Sequence, residues 1–279
     1  MFKILTKNPL ELKRFVDVEK PVNEISSKKL TVSKESDKLR SVINLILKKY
    51  RRIPIIDSHN HLKGIITATD VLNILGGGEK NKVFLKYKKS FNIPARKVME
   101  RHVLTIDKKT SIKKTLEIFR REERGAYPVV YKKKLVGIVS EWDLVKQIRE
   151  KVDFLVEDIM VRKPMIAKPN YSLLDTSKII CRGGFRRLPI VDDNVLVGIV
   201  TPKDIIGHLN EKGFLDKLTM VKTKTKDVMR KNVIVVDPRT ELFEAIKIMK
   251  KKRIGGLPVT DGDDLIGILT ERDIVDAFL

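Results

Sequence analysis

The chain has 279 residues and a mass of 32.0 kDa, room for one large domain or two ordinary ones, with 42% apolar residues to build a core. Its 58 Lys and Arg against 36 Asp and Glu give a net charge of +22, a balance that suits phosphate-bearing or acidic partners, while the plentiful Ile, Val and Leu exclude a disordered chain. A single cysteine, Cys181, excludes a disulfide framework, the four histidines show no zinc-ligand spacing, and neither a membrane-length apolar run nor a signal-peptide core is present, so a soluble cytoplasmic protein without a structural metal is expected.

In chain order, an N-terminal extension (1–17) precedes the first of four copies of one unit. Copy one (18–75) holds a helix with Leu39, Val42, Ile43 and Ile46 on one face, then a strand around Pro54, a turn Asp57-Ser-His-Asn-His61, and a strand Leu62-Lys-Gly64-Ile-Ile-Thr67 leading to Asp70. Gly76-Gly-Gly78 and Lys80 to Lys89 read as a linker; the glycine triplet lacks the Gly-Lys-Ser/Thr of a phosphate loop. Copy two (93–150) has a first strand Val103–Ile106, a strand around Pro128, the turn Lys132-Lys-Lys134, and Gly137-Ile-Val-Ser140-Glu-Trp-Asp143 opening a helix to Ile148.

Copy three (156–209) repeats the pattern with Pro189, the turn Asp192-Asp-Asn194 and Gly198-Ile-Val-Thr201-Pro-Lys-Asp204, followed by a linker from Gly207 to Lys224. In copy four (225–279) the first strand is Val233–Val236, Thr240 is placed to cap a helix with Leu242, Ala245, Ile246 and Met249 on one face, and Pro258, the turn Asp261-Gly-Asp-Asp264 and Gly267-Ile-Leu-Thr270-Glu-Arg-Asp273 follow. Pro to Gly spans ten residues in copy one and nine in the others, whereas Gly to hydroxyl and hydroxyl to Asp are always three. Four βαββα units of this size bury too little surface alone, so an α/β fold (mixed α+β) of two pairs is expected, 18–150 and 151–279.

A hydroxyl and a carboxylate three residues apart at a strand-to-helix junction can cap the helix, which is common in any protein. The same pair can also bind a nucleotide, the Asp accepting from ribose hydroxyls and the Ser or Thr donating to phosphate. Four copies in one register favour binding at some of them. Two residues before the proline stand Arg52 and Arg187, each preceded by another arginine, Arg51 and Arg186, while copies two and four have Ala126 and Gly256 there. Cys181 reads as buried and inert, Trp142 as packing, and no Ser/His/Asp or Cys/His constellation supports catalysis, so no enzyme activity and no required cofactor are expected.

The hairpin pattern, with lead-ins Lys97-Val-Met99, Asp158-Ile-Met160 and Asp227-Val-Met229, resembles the cystathionine-β-synthase (CBS) domain, four times over and across nearly the whole chain. The plan is similar to the gamma subunit of AMP-activated protein kinase and to archaeal CBS proteins, which implies two CBS pairs packed head to head into a disc. The resemblance implies ribose-binding Asp70, Asp143, Asp204 and Asp273, with phosphates reached by Thr67, Ser140, Thr201 and Thr270 and by Arg51, Arg52, Arg186 and Arg187. It places Val103 in the adenine pocket of Asp70, Leu30 and Tyr50 in that of Asp143, Val233 and Ile254 in that of Asp204, and Met165 and Phe185 in that of Asp273. The implied function is an energy sensor binding AMP, ADP or ATP and signalling to a protein partner such as a kinase or another regulated enzyme. S-adenosylmethionine is an alternative ligand for the same cleft, and nucleic acid an alternative partner for the basic surface, although no nucleic-acid-binding motif accompanies the charge.

Overall fold

The computed structural model describes residues 10–48, 50–78, 91–122, 124–211 and 217–278. Copy one runs through strand Ser33–Lys34, helix Leu39–Lys48, strands Arg52–Ile56 and Leu62–Thr67, and a closing helix Ala68–Leu72 that widens into a π-type turn, Asn73–Gly77. Copy two has Ile106–Asp107, Ile112–Glu122, Ala126–Tyr131, Lys134–Ser140 and the closing helix Glu141–Val145. Copy three has Leu173–Gly183, Leu188–Asp192, Val195–Val200 and Pro202–Glu211, and copy four has Leu242–Lys252, Gly256–Asp261, Asp264–Thr270 and Glu271–Ala277. In each copy the Pro strand and the Gly strand form an antiparallel hairpin with a register shift at the same place, for example between Ile190 and Val191 or between Val259 and Thr260.

The first strands are shorter than their β-branched runs suggest. Copies one and two keep two residues each, parallel to the Pro strand, and copies three and four keep a single bridge, Ala167 to Ile190 and Val236 to Val259. The proline explains the limit. In copy four the Val236 N–H donates to Pro258 O at 3.1 Å and the Thr260 N–H donates to Val236 O at 3.1 Å; the preceding rung would need an N–H on Pro258, which proline lacks. Strand pairing over Val103–Ile106 and Val233–Val236 is therefore corrected to its last residue or two.

The helix faces match their periodicity. Leu39, Val42, Ile43 and Ile46 are all buried, as are Leu242, Ala245, Ile246 and Met249, each large side chain contributing about 1.5–3 kcal/mol by leaving water. The expected Thr240 cap is displaced by one residue: Glu241 occupies the cap position without a side-chain bond. A backbone carbonyl from elsewhere in the chain does the work, since the Leu242 N–H donates to Phe154 O at 2.8 Å. The same device recurs at Leu39 with Ile93 O, Ile112 with Lys20 O and Leu173 with Thr223 O. The closing helix of copy two likewise begins at Glu141 rather than Asp143, and Gly207, read as the start of a linker, lies inside the helix Pro202–Glu211. The linker Lys80 to Lys89 lies outside the described residues.

These carbonyls belong to the lead-ins, which are exchanged between copies. Ser27 of copy one's lead-in pairs with Ile138 of copy two, Glu100 of copy two's with Ile65 of copy one, Arg230 of copy four's with Ile199 of copy three, and Val161–Arg162 of copy three's with Gly267–Ile268 of copy four. Each lead-in lies against the glycine of the motif it meets. A Cβ at Gly64 would sit 2.7 Å from Met99 Sδ, one at Gly198 2.6 Å from Met229 Sδ, and one at Gly267 2.6 Å from Met160 Sδ. Gly137 instead meets Ser26 Oγ at 2.9 Å, because copy one's lead-in has a serine where the others have methionine.

The chain divides into two compact units. One comprises the chain through Leu30, Leu104–Pro164 and the chain from Ile234; the other comprises Thr31–Val103 and Met165–Val233. The first holds the bodies of copies two and four around a core that includes Phe119, Tyr127 and Phe278, and the second holds copies one and three around Ile43, Ile66, Ile180 and Ile205. Each expected half, 18–150 and 151–279, contributes to both units. Among the described residues no helix is long and apolar enough to cross a membrane.

The glycine contacts yield a paired prediction. Gly198→Ala pushes a methyl into Met229 and to 3.1 Å from Arg230 O, and should cost about 1–3 kcal/mol. Gly207→Ala, on a helix with its nearest neighbour Leu47 at 3.8 Å, should stabilise by about 0.4–1 kcal/mol. Thermal melts of the two variants check the opposite signs.

Candidate functional site

The Gly strand of each hairpin ends on its hydroxyl residue with the backbone still extended, φ −108° and ψ 165° at Thr67 and φ −128° and ψ 165° at Thr270. The helix starts at the next residue, so the Asp falls on its third position and turns back. Asp70 Oδ2 accepts from the Thr67 N–H at 2.9 Å and from its hydroxyl at 2.7 Å. The pair recurs for Asp143 with Ser140 at 2.8 and 2.6 Å, Asp204 with Thr201 at 2.9 and 2.6 Å, and Asp273 with Thr270 at 2.8 and 2.8 Å. In copies one, three and four the Asp N–H donates back to the hydroxyl oxygen, at 3.1, 3.4 and 3.4 Å. One carboxylate oxygen and the hydroxyl proton of each motif thus serve the helix end.

In copies two and three the other oxygen meets the exchanged lead-in. Asp143 Oδ1 accepts from Lys146 Nζ at 2.6 Å and from Ser27 Oγ at 3.3 Å. Asp204 Oδ1 accepts from Arg230 Nε at 2.8 Å and Nη2 at 2.6 Å. Ser27 and Arg230 occupy the same place in their lead-ins, where copies two and three have Glu100 and Val161. The residues that pair beside the four motifs are therefore a serine, an acid, an arginine and a valine.

The copies fall into two kinds. Copies one and three share a unit, which brings Asp70 and Asp204 together with Thr67, Thr201 and all four arginines of the doublets; Arg51 is exposed, and Arg52, Arg186 and Arg187 are half-buried. Burial first, and then the guanidiniums of Arg51 and Arg230, hold the Lys203 ammonium below the ordinary lysine range, with Asp204 pulling the other way. Copies two and four instead bury an acid directly after the hydroxyl, Glu141 and Glu271, where copies one and three have Ala68 and Pro202. Arg272 Nη1 lies 3.8 Å from Glu141 Oε1 and donates to Phe119 O at 2.8 Å, and burial pushes the Asp276 carboxyl up despite that guanidinium. Spacing within one copy did not single out Lys203 or Arg230; the usable signal is the residue directly after each lead-in methionine.

Leu30, Tyr50, Val103, Phe185, Val233 and Ile254 are half-buried and Met165 is exposed. Val103 shares a unit with Asp70, Leu30 with Asp143 and Val233 with Asp204, whereas the assignments of Tyr50, Ile254, Met165 and Phe185 draw on both units. Trp142 packs against the core of its unit, and Cys181 is half-buried with its thiol pushed up to about 11, by burial first and then by Asp70.

Comparison with known proteins adds the family. The family described as CBS domain matches residues 22–77, 95–150, 156–211 and 226–279. Uncharacterized protein MJ1225 of Methanocaldococcus jannaschii is 32% identical over 248 residues, covering 82% of this chain and 88% of the relative. An uncharacterized 33.4 kDa protein in the ribosomal RNA operon of Thermofilum pendens is 28% identical over 243 residues, covering 81% and 80%. The crystal structure of MJ1225, described as a candidate archaeal homolog of g-AMPK, matches with a TM-score of 0.84 at 29% identity, covering 91% of this chain and 98% of that one.

The charge cluster gives a prediction that needs no ligand. Arg230→Ala removes a neighbouring cation and releases Asp204 Oδ1, so the Lys203 pKa should rise toward the ordinary lysine value, while Arg230→Lys should leave it lowered. NMR titration of the Lys203 side chain measures both; a value unmoved by Arg230→Ala would assign the depression to burial and Arg51 alone.

Proposed function

The chain belongs to the CBS domain family, and from that premise we propose that it is a regulatory sensor that holds AMP, ADP or ATP at its Asp-centred sites and passes their occupancy to a protein partner. The ribose hydroxyls donate to Oδ1 of Asp70, Asp143, Asp204 or Asp273, the oxygen that the helix cap leaves aside. Val103, Leu30 and Val233 supply apolar contact to the base at the sites of Asp70, Asp143 and Asp204. The phosphates are held by Arg51, Arg52, Arg186 and Arg187, to which Lys203 and Arg230 are added. Thr67, Ser140, Thr201 and Thr270 turn to a phosphate only by giving up their bond to the Asp. The sites bind and release nucleotide intact.

The observation that carries this reading is the Arg230 guanidinium on Asp204 Oδ1 beside Lys203, whose proton is loosened by burial first and then by the cations Arg51 and Arg230. Such a concentration of positive charge is relieved by a polyanion. At this site a ribose displaces Arg230 from the carboxylate. That pair, exposed on its guanidinium side only, is worth about 1 kcal/mol, and the freed guanidinium gains stronger charge-assisted bonds when a phosphate is present to receive it. A nucleoside without phosphate meets only the competitor.

Arg230→Ala should tighten adenosine binding about two- to fivefold and weaken ADP and ATP binding about tenfold; calorimetry in which both ligands move the same way would reject the displacement. Arg52→Ala with Arg187→Ala should lower affinity progressively from AMP to ATP, and a flat loss across that series would reject phosphate binding by the doublets. S-adenosylmethionine in the same titrations separates the two ligand classes: binding by it and by none of the nucleotides would replace the nucleotide reading.

A further inference from the structure

The hairpin turn of copy one differs from its three counterparts in length and in chemistry. The extra residue between Pro54 and Gly64 lies in a copy whose turn, Asp57-Ser-His-Asn-His61, carries two of the chain's four histidines; the other three turns carry none. Spacing along the chain leaves these imidazoles looking scattered, but the folded turn gathers them around an acid. Asp57 Oδ1 accepts from the N–H groups of His59 and His61, each at 2.9 Å. Asn60 adopts a φ of 64°, in the left-handed region that asparagine tolerates better than most residues. The two imidazoles end on the same side of the turn, their centroids 5.9 Å apart and their planes inclined by 29°.

Asp57 Oδ2 lies 3.1 Å from His61 Nδ1, and one donor atom from each of Asp57, His59 and His61 lies within 4.8 Å of the other two. His59 is exposed, and Asp57 and His61 are half-buried, so solvent reaches the cluster.

We propose that this turn binds a divalent transition metal ion of the zinc type, with one nitrogen each from His59 and His61 and a carboxylate oxygen from Asp57 as its protein ligands, and solvent completing the coordination. Two imidazoles and one carboxylate form a donor set that zinc accepts, whereas calcium and magnesium take all-oxygen sets. With zinc–ligand bonds of about 2.0–2.1 Å, the donors of a tetrahedral site stand about 3.3 Å apart. The Asp57–His61 pair is close to that distance, and the donors of all three residues lie within 4.8 Å of one another.

The test uses the untagged full chain with cobalt(II) as a visible probe and zinc(II) as competitor. The expected result is one cobalt per chain with the absorption of a four- or five-coordinate ion, displaced by one equivalent of zinc. His59→Ala and His61→Ala should each weaken zinc binding at least about tenfold, whereas His102→Ala and His208→Ala should leave it unchanged. A second arm needs no variant: in the wild-type NMR spectrum zinc should shift the imidazole signals of His59 and His61 and spare those of His102 and His208. Zinc binding that survives the double variant His59→Ala/His61→Ala, or zinc shifts confined to the other two histidines, would overturn the proposal, as would the absence of binding at neutral pH.

Discussion

Each Ser/Thr-x-x-Asp turn divides its carboxylate. Oδ2 accepts the backbone N–H and the hydroxyl of its own cap residue, which fixes the side chain at the end of a strand and the start of a helix. Because that bond is local and satisfies an otherwise orphaned group, it survives in all four copies whatever lies around it. Oδ1 then points to whatever the rest of the chain supplies. The lead-in supplies it in two copies, and the lead-in is there because the glycine three residues before the hydroxyl leaves room for a methionine or serine side chain.

This arrangement lets one repeated unit acquire different sites without a change in backbone. Serine and lysine reach Asp143, arginine reaches Asp204, and an acid and a valine pair beside the motifs of Asp70 and Asp273. The unit of copies one and three collects the arginine doublets and Lys203. The unit of copies two and four has Ala126 and Gly256 at the second doublet position, buries Glu141 and Glu271 directly after the hydroxyl, and carries Arg272, whose guanidinium caps the Phe119 carbonyl and pairs with Asp276. One unit concentrates cationic side chains, and the other ties its closing helix to the Phe119 carbonyl.

Much of this was legible in the sequence where the cause is local. The apolar face of Leu39, Val42, Ile43 and Ile46 follows from helical period, and the hairpins follow from β-branched runs flanking polar turns. The first strands are shorter than their β-branched runs because the N–H that Pro258 lacks is missing for the parallel neighbour as well as for its own strand. Thr240 was a reasonable cap by type, but a carbonyl from Phe154 already served the helix end. Arg230 is not legible from one copy for the same reason: the lead-in that carries it serves the neighbouring copy. The Asp57, His59 and His61 cluster depends on a backbone conformation at Asn60 that spacing does not display.

The divided carboxylate is tested most directly by a crystal structure of the protein grown with ADP. The account predicts ribose hydroxyls within hydrogen-bond distance of Oδ1 of the motif aspartates, with Oδ2 still accepting from its own cap residue, and at Asp204 an Arg230 guanidinium moved from the carboxylate to the phosphates. ADP bound with its ribose away from all four aspartates, or with Arg230 still on Asp204 Oδ1 beneath a bound ribose, would contradict it.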